Sequence, residues 1–280
     1  MMKKSTKQSL PTLPELRAQI DAIDDQMHRL LRDRADIVHT VRKVKGKQAI
    51  FIRPGREASM VRALLKRPRG KIPPGLLMRL WREMIGAFTM QEGRLRVAVT
   101  TGKGALDLWD ISRDFYGATT PLIECKTPNQ ALSQVKQGIT ELAVLPLPEN
   151  GQNKPWWRSL IQAPHLQIFA QFPFDLADAE RANWRGNRTG AWSLAALAPE
   201  PTGADHGLLL VWDCPVQLKP VLEQLRPLAL HHDAAKNCWL VTVDGLLAPE
   251  QKRYRDVAVA LAAGGAQNRI IGGYAVPIGL

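Results

Sequence analysis

Arg34 interrupts an otherwise apolar stripe. Leu16, Ile20, Ile23, Met27, Leu30, Ile37, Val41 and Val44 recur at four- and three-residue intervals, and the position between Leu30 and Ile37 that this spacing reserves for a hydrophobe holds the arginine. Lys45 follows about three helical turns later and about 20° further round, at ~100° per residue, so both cations line nearly one helix face. Arg56 and Glu57 open the next helical stretch and come beside them if the helices bundle. Arg17 stands roughly 25 Å from Arg34 along a helix axis at ~1.5 Å per residue. Those two arginines can share a site only across an antiparallel pair of chains. Such a set of cations, with one carboxylate among them, is chemistry for gripping an anion. Taken singly, each cation also has the ordinary reading of a solvated helix face.

Charge distribution narrows where that chemistry sits. Residues 1–96 hold 22 Lys and Arg against 9 Asp and Glu, a net of +13, whereas the rest of the chain holds 16 against 17, a net of −1. A basic segment of this kind suits nucleic acid, an anionic surface or a small polyanionic substrate. The 280 residues suffice for two or three domains. No stretch approaches the ~20 apolar residues of a membrane span, and MMKKSTKQS leads into Pro11 without an apolar signal core, so a cytoplasmic protein is expected. Cys125, Cys214 and Cys238 form no CxxC pair and are expected as buried thiols.

The elements that must position these residues are legible. Thr12-Leu13-Pro14-Glu15 has the form of a capping box with a proline in the first turn, and the stripe predicts one helix running to Lys45 before Gly46 stops it. Its length calls for a partner helix, and dimerisation supplies one. A second helix is predicted from Arg53-Pro54-Gly55, with Ala58, Val61, Leu64 and Leu65 on one face before Pro68. A third follows Pro73-Pro74, uses Leu77, Leu80, Trp81, Met84, Ile85 and Phe88, and ends near Gly93. Beyond Arg94, strands at Leu95 to Thr100, Leu122 to Glu124 and Leu142 to Leu145 alternate with helices at Leu106 to Phe115 and Asn129 to Gln137. After a linker at Pro199 to Gly207, the order strand, helix, strand, strand, helix, strand through Ala275 is a βαββαβ unit of the ferredoxin-like kind.

The motifs L-R-x-x-I-D-x-I-D, L-x-x-R, K-x-K and R-P-x-R-E, in that order over residues 13 to 93, resemble the all-helical chorismate mutase family. The resemblance implies an intertwined homodimer in which each site borrows Arg17 from the neighbouring chain. It makes Arg34 and Lys45 the substrate-binding cations of the home helix, and Arg56 and Glu57 the Arg-Glu pair opening the second helix. Arg53 stands where some relatives carry an aspartate. Phe88 occupies the place of a small polar contact, and Glu92 that of a Gln or Glu over the substrate. The substrate implied is chorismate, a dianion that rearranges to prephenate by a pericyclic step with no metal and no cofactor. Arg17 and Arg34 would fork the two carboxylates, Lys45 and a protonated Glu92 would donate to the breaking ether oxygen, and Glu57 would accept from the substrate hydroxyl. Gln91 is the rival donor to Glu92. An ionised carboxylate at Glu92 would repel the growing charge, so mutase activity should decline at high pH and Glu92→Gln should flatten that decline.

The remainder resembles the tail of the bifunctional chorismate mutase / prephenate dehydratase, a dehydratase followed by an ACT domain. Gln137-Gly138, Leu142 to Leu145 and Pro148-Glu149-Asn150 carry the first part of that likeness, and Ile270 to Tyr274 (IIGGY) carries the second. No G-x-x-G-T-F-S opening follows the first strand, Thr189-Gly190-Ala191 stands where the family has T-R-F, and about 110 residues are too few for two lobes. The expected architecture is therefore multidomain. An all-α three-helix mutase domain (1–96) precedes a shortened, degenerate dehydratase-like α/β lobe (97–206) and an ACT-like domain (207–280). Residues 1–96 alone are expected to keep mutase activity, with no dehydratase activity in the full chain. His231-His232 reads as solvated, and Trp156, Trp157, Trp184 and Trp192 read as packing for the short lobe. Two other functions compete: a basic helical module for nucleic acid, which leaves Arg34 unexplained, and a non-catalytic relative that regulates a partner enzyme, which Phe88 keeps open.

Overall fold

The computed structural model describes residues 10–46, 51–102, 107–149, 155–174 and 190–278. It divides into two compact units, 1–48 and 49–280. The first is helix α1, Leu13–Lys45, 33 residues with no buried position. Its start follows from the sequence: the Thr12 hydroxyl accepts from Glu15 N–H, and the Glu15 carboxylate accepts in return from Thr12 N–H at 2.7 Å. Gly46 ends it at φ 67°, donating its N–H to the Arg42 carbonyl. Within this unit Ile20, Ile23, Met27, Leu30 and Ile37 form the apolar stripe and are all more than half exposed.

In the second unit, helices α2 (Pro54–Leu65) and α3 (Pro74–Glu92) lead into a nine-stranded sheet. The strands are β1 (Val97–Thr100), β2 (Leu122–Cys125), β3 (Leu142–Pro146), β4 (Gln167–Phe172), β5 (Ala191–Ala195), β6 (Asp205–Trp212), β7 (Ala229–Asp233), β8 (Cys238–Asp244) and β9 (Gln267–Ala275). They lie in the order β2-β1-β3-β5-β4-β9-β6-β8-β7. β1 is parallel to β2 and β3, β5 is antiparallel to β3 and β4, and β6 to β9 form the antiparallel βαββαβ unit. A parallel contact between β4 and β9, Ile168 opposite Gly272, joins the two halves. Gly272 has φ +111°, and a Cβ there would lie 2.1 Å from the Ile168 carbonyl oxygen, so the close approach needs glycine.

Strands β4 (QIFAQF), mostly buried, and β5 (AWSLA), fully buried, are absent from the sequence reading, because such short apolar runs do not distinguish strand from buried helix. Helix α5 (Pro128–Lys136) and the 3-10 segment Trp156–Gln162 cover one face of the sheet. Trp156, Trp157 and Trp192 are buried there, as expected, while Trp184 lies outside the described residues. The opposite face is covered by α2, α3 and α4 (Asp107–Tyr116) at one end. At the other end it is covered by α6 (Lys219–Glu223) and α7 (Lys252–Ala263). The three cysteines are buried and unpaired in disulfides. His231 and His232 are half-buried on β7 rather than solvated, and His232 stacks on Trp239 at 3.8 Å between ring centroids. Burial pushes both imidazoles below their ordinary range.

The covered face of α3 also differs from the sequence reading. Leu77, Met78, Arg82 and Gly86 are buried, whereas Leu80 is 45% exposed. The helix turns its smallest residue toward the α4 terminus, where a Cβ on Gly86 would lie 2.0 Å from the Tyr116 carbonyl oxygen and 3.3 Å from Gly117 Cα. Glycine to alanine inside a solvated helix gains about 1 kcal/mol. Here the neighbour is backbone and cannot swing aside, so Gly86→Ala is expected to cost about 1–3 kcal/mol and lower the Tm by roughly 3–10 °C. A melting curve at or above wild type would show that α3 does not pack this closely.

Candidate active site

The residues named by motif fall on three helices. Arg17, Arg34 and Lys45 lie on α1, Arg56 and Glu57 in the first turn of α2, and Phe88 and Glu92 in the last turns of α3. Phe88 and Glu92 are half-buried and Arg56 is exposed. The start of α2 is tightly built. Pro54 sits in the first turn, and Glu200, from the segment between β5 and β6, accepts from Arg53 Nε at 2.9 Å and Nη2 at 2.7 Å. The other Glu200 oxygen accepts from Arg56 N–H at 3.2 Å. Gly55 is held against Glu200, where a Cβ would lie 2.5 Å from the Glu200 Cβ. Arg53 is thus bound to a long-range carboxylate.

Glu57 faces inward. Its Oε2 accepts from Arg82 Nη1 at 3.1 Å and its Oε1 from Arg53 N–H at 3.4 Å. Burial pushes the Glu57 carboxyl above its usual range, the Glu200 charge adds to this, and Arg82 and the Arg53 N–H oppose it. The Arg82 guanidinium lies 4.0 Å from the Phe115 ring centroid and 5.6 Å from that of Phe174. Behind it, Tyr116 and Ser193 share a hydroxyl hydrogen bond at 2.5 Å, and burial pushes the Tyr116 phenol well up. Arg62, also on α2, donates to Thr202 Oγ1 at 2.6 Å and to the carbonyls of Ala204 and Val276 at 3.0 and 2.7 Å. Sequence reasoning missed Arg82, Glu200 and the Tyr116–Ser193 pair. Among the described residues no group of His, Cys, Asp and Glu is placed to hold a metal, and no helix is long and apolar enough to cross a membrane.

This is a helical segment followed by an α/β region with a mixed sheet. Residues 16–93 match the chorismate mutase type II family. Two curated relatives are bifunctional chorismate mutase/prephenate dehydratases. That of Aquifex aeolicus is 28% identical over 140 residues, 48% of this chain and 38% of the relative. That of Stutzerimonas stutzeri is 31% identical over 98 residues, 33% of this chain and 27% of the relative. The matched stretch therefore spans less than two fifths of either relative's length. A solved prephenate dehydratase from Streptococcus mutans superposes with a TM-score of 0.45 at 14% identity, covering 66% of this chain and 100% of that one.

Proposed function

We propose that the chain rearranges chorismate to prephenate. The observation that carries this reading is the family match over residues 16–93, with arginine, lysine and glutamate at the motif positions Arg17, Arg34, Lys45, Arg56, Glu57 and Glu92. Pericyclic rearrangement of a dianion needs its reactive conformer held and the charge on the ether oxygen met by donors. Guanidinium forks from Arg17 and Arg34 hold the carboxylates, Lys45 and Glu92 face the ether oxygen, and Arg56 and Glu57 hold the remaining polar groups. Phe88 gives that side of the substrate an apolar wall in place of a hydrogen bond.

The exposed stripe of α1 supports a homodimer, in which Arg17 comes from the second chain. Mutase chemistry belongs to 1–96, with 97–206 a dehydratase-like lobe that has lost its activity and 207–280 an ACT-like unit. Adding chorismate to the full-length protein tests both halves of the reading. Prephenate should form at a rate proportional to enzyme and no phenylpyruvate should follow. Absence of turnover ends the mutase assignment, and phenylpyruvate ends the assignment of an inactive lobe.

A further inference from the structure

Arg82 is 4% exposed on a 19-residue helix, and burying a guanidinium against a single carboxylate is costly unless its geometry is used. Two apolar side chains of similar volume would join α2 to α3 at least as well. What the pair supplies that hydrophobes cannot is direction. The guanidinium is fixed over Phe115, which itself stacks on Phe172 at 4.6 Å between centroids and 18° between planes. Phe115 belongs to α4 and Phe172 to β4, so the aromatic wall is part of the α/β lobe. The guanidinium hydrogen in turn reaches Glu57 Oε2, while Glu57 Oε1 is held by the main chain of Arg53, whose side chain Glu200 clamps.

We propose that Arg82 is a positioning residue for Glu57: seated on the lobe's aromatic wall, it fixes where the Glu57 carboxylate points and so makes the opening of α2 depend on the lobe. This rests on the mutase reading, in which Glu57 accepts a hydrogen bond from the substrate hydroxyl. The lobe then acts as the anvil against which one side of the site is set. The charged and titratable groups facing Glu57 are Arg82 from α3, Tyr116 from α4 and Glu200 from the β5–β6 segment. Arg82 is the one among them that donates a side-chain hydrogen bond to it.

The test uses the full-length protein and three variants, Arg82→Lys, Arg82→Gln and Phe115→Leu. Folding is followed by circular dichroism, Glu57 ionisation by carbon-13 NMR of its carboxyl, and chorismate turnover from acid to alkaline pH. Arg82→Lys keeps the charge but loses the fork and the flat stacking face. Its Glu57 titration should stay near wild type while kcat/KM falls about tenfold, mainly through KM, at every pH. Phe115→Leu keeps Arg82 but removes the ring beneath it, and kcat/KM should fall about threefold to tenfold. In Arg82→Gln the Glu57 titration should move to higher pH, and the acid limb of kcat/KM should move with it. The sign follows because the ionised Glu57 carboxylate, the stronger acceptor, has lost its stabilising cation.

Wild-type kcat/KM in folded Arg82→Lys and Phe115→Leu, with an unmoved Glu57 titration in Arg82→Gln, overturns the proposal. If Arg82→Gln does not fold, the other two variants decide by their kcat/KM. If the wild-type protein does not turn chorismate over, the mutase reading fails on its own. The Glu57 carboxyl resonance then decides the proposal: a titration shift in Arg82→Gln supports it, and none overturns it.

Discussion

A fragment ending at residue 96 is expected to lose more than about 99% of the mutase activity proposed for the full chain and to melt without a cooperative transition. The sequence alone leads to the opposite expectation, because the family motifs end before that point. The packing changes it. Ile52, Ala58, Val61 and Met78 lie in one core with Val97, Val99, Phe115 and Phe172, and Arg82 stacks on Phe115. Each fully buried aliphatic side chain contributes about 1.5–3 kcal/mol. Uncovering several of them removes an amount comparable to the ~5–15 kcal/mol by which a domain is stable. The fragment also strands Arg82 and Glu57 without their aromatic wall, and takes Glu200 from Arg53 and Arg62's acceptors at Ala204 and Val276. Thermal denaturation and chorismate turnover on the fragment at micromolar concentration check this. Full activity with a cooperative melt would mean that α2 and α3 find equivalent cover without the lobe.

Arg34→Ala is expected to lower kcat/KM by roughly 30-fold to several thousandfold, the usual consequence of removing one partner of a desolvated charge pair with a substrate carboxylate (~2–5 kcal/mol). Arg17→Ala should fall in the same range, although the two residues lie roughly 25 Å apart along α1 at ~1.5 Å per residue. Mixing the two inactive variants separates a shared site from two unrelated ones. If the site is shared as proposed, one site of a heterodimer receives Arg34 from its home chain and Arg17 from the neighbour, while the other receives neither. Random exchange should therefore restore about a quarter of all sites. Demonstrated exchange of chains with no return of activity would remove the borrowed arginine from the mechanism.

The limits of α1 were legible because local chemistry writes them: a reciprocal cap at Thr12 and Glu15 at one end and a glycine at the other. The βαββαβ order after residue 205 was legible for a similar reason, since each strand is short, apolar and bounded by turn residues. Arg34 stood out because the stripe on α1 is narrow. Arg82 did not, although it follows Met78 and precedes Gly86 at four-residue spacing, because Leu76, Leu77, Leu80, Trp81, Met84 and Ile85 make α3 apolar almost all round. No single face could be chosen without knowing what covers it. The Glu57–Arg82 and Arg53–Glu200 contacts span 25 and 147 residues, separations at which no local pattern operates. The sequence could name Glu57 but not the company it keeps.

The junction of β4 with β9 bears on how the protein is made. β4 is antiparallel to β5 on one side, and its other neighbour is a strand roughly a hundred residues downstream. At synthesis rates of ~5–20 residues per second, that edge waits on the order of 5–20 s for its partner. During that interval Ile168 and Phe172, buried in the finished sheet, belong to an open strand edge of the kind that recruits foreign strands. Nascent chains halted between residue 195 and residue 267 should therefore be the species most dependent on chaperones, and those extended past Ala275 and clear of the ribosome should be the first to resist protease.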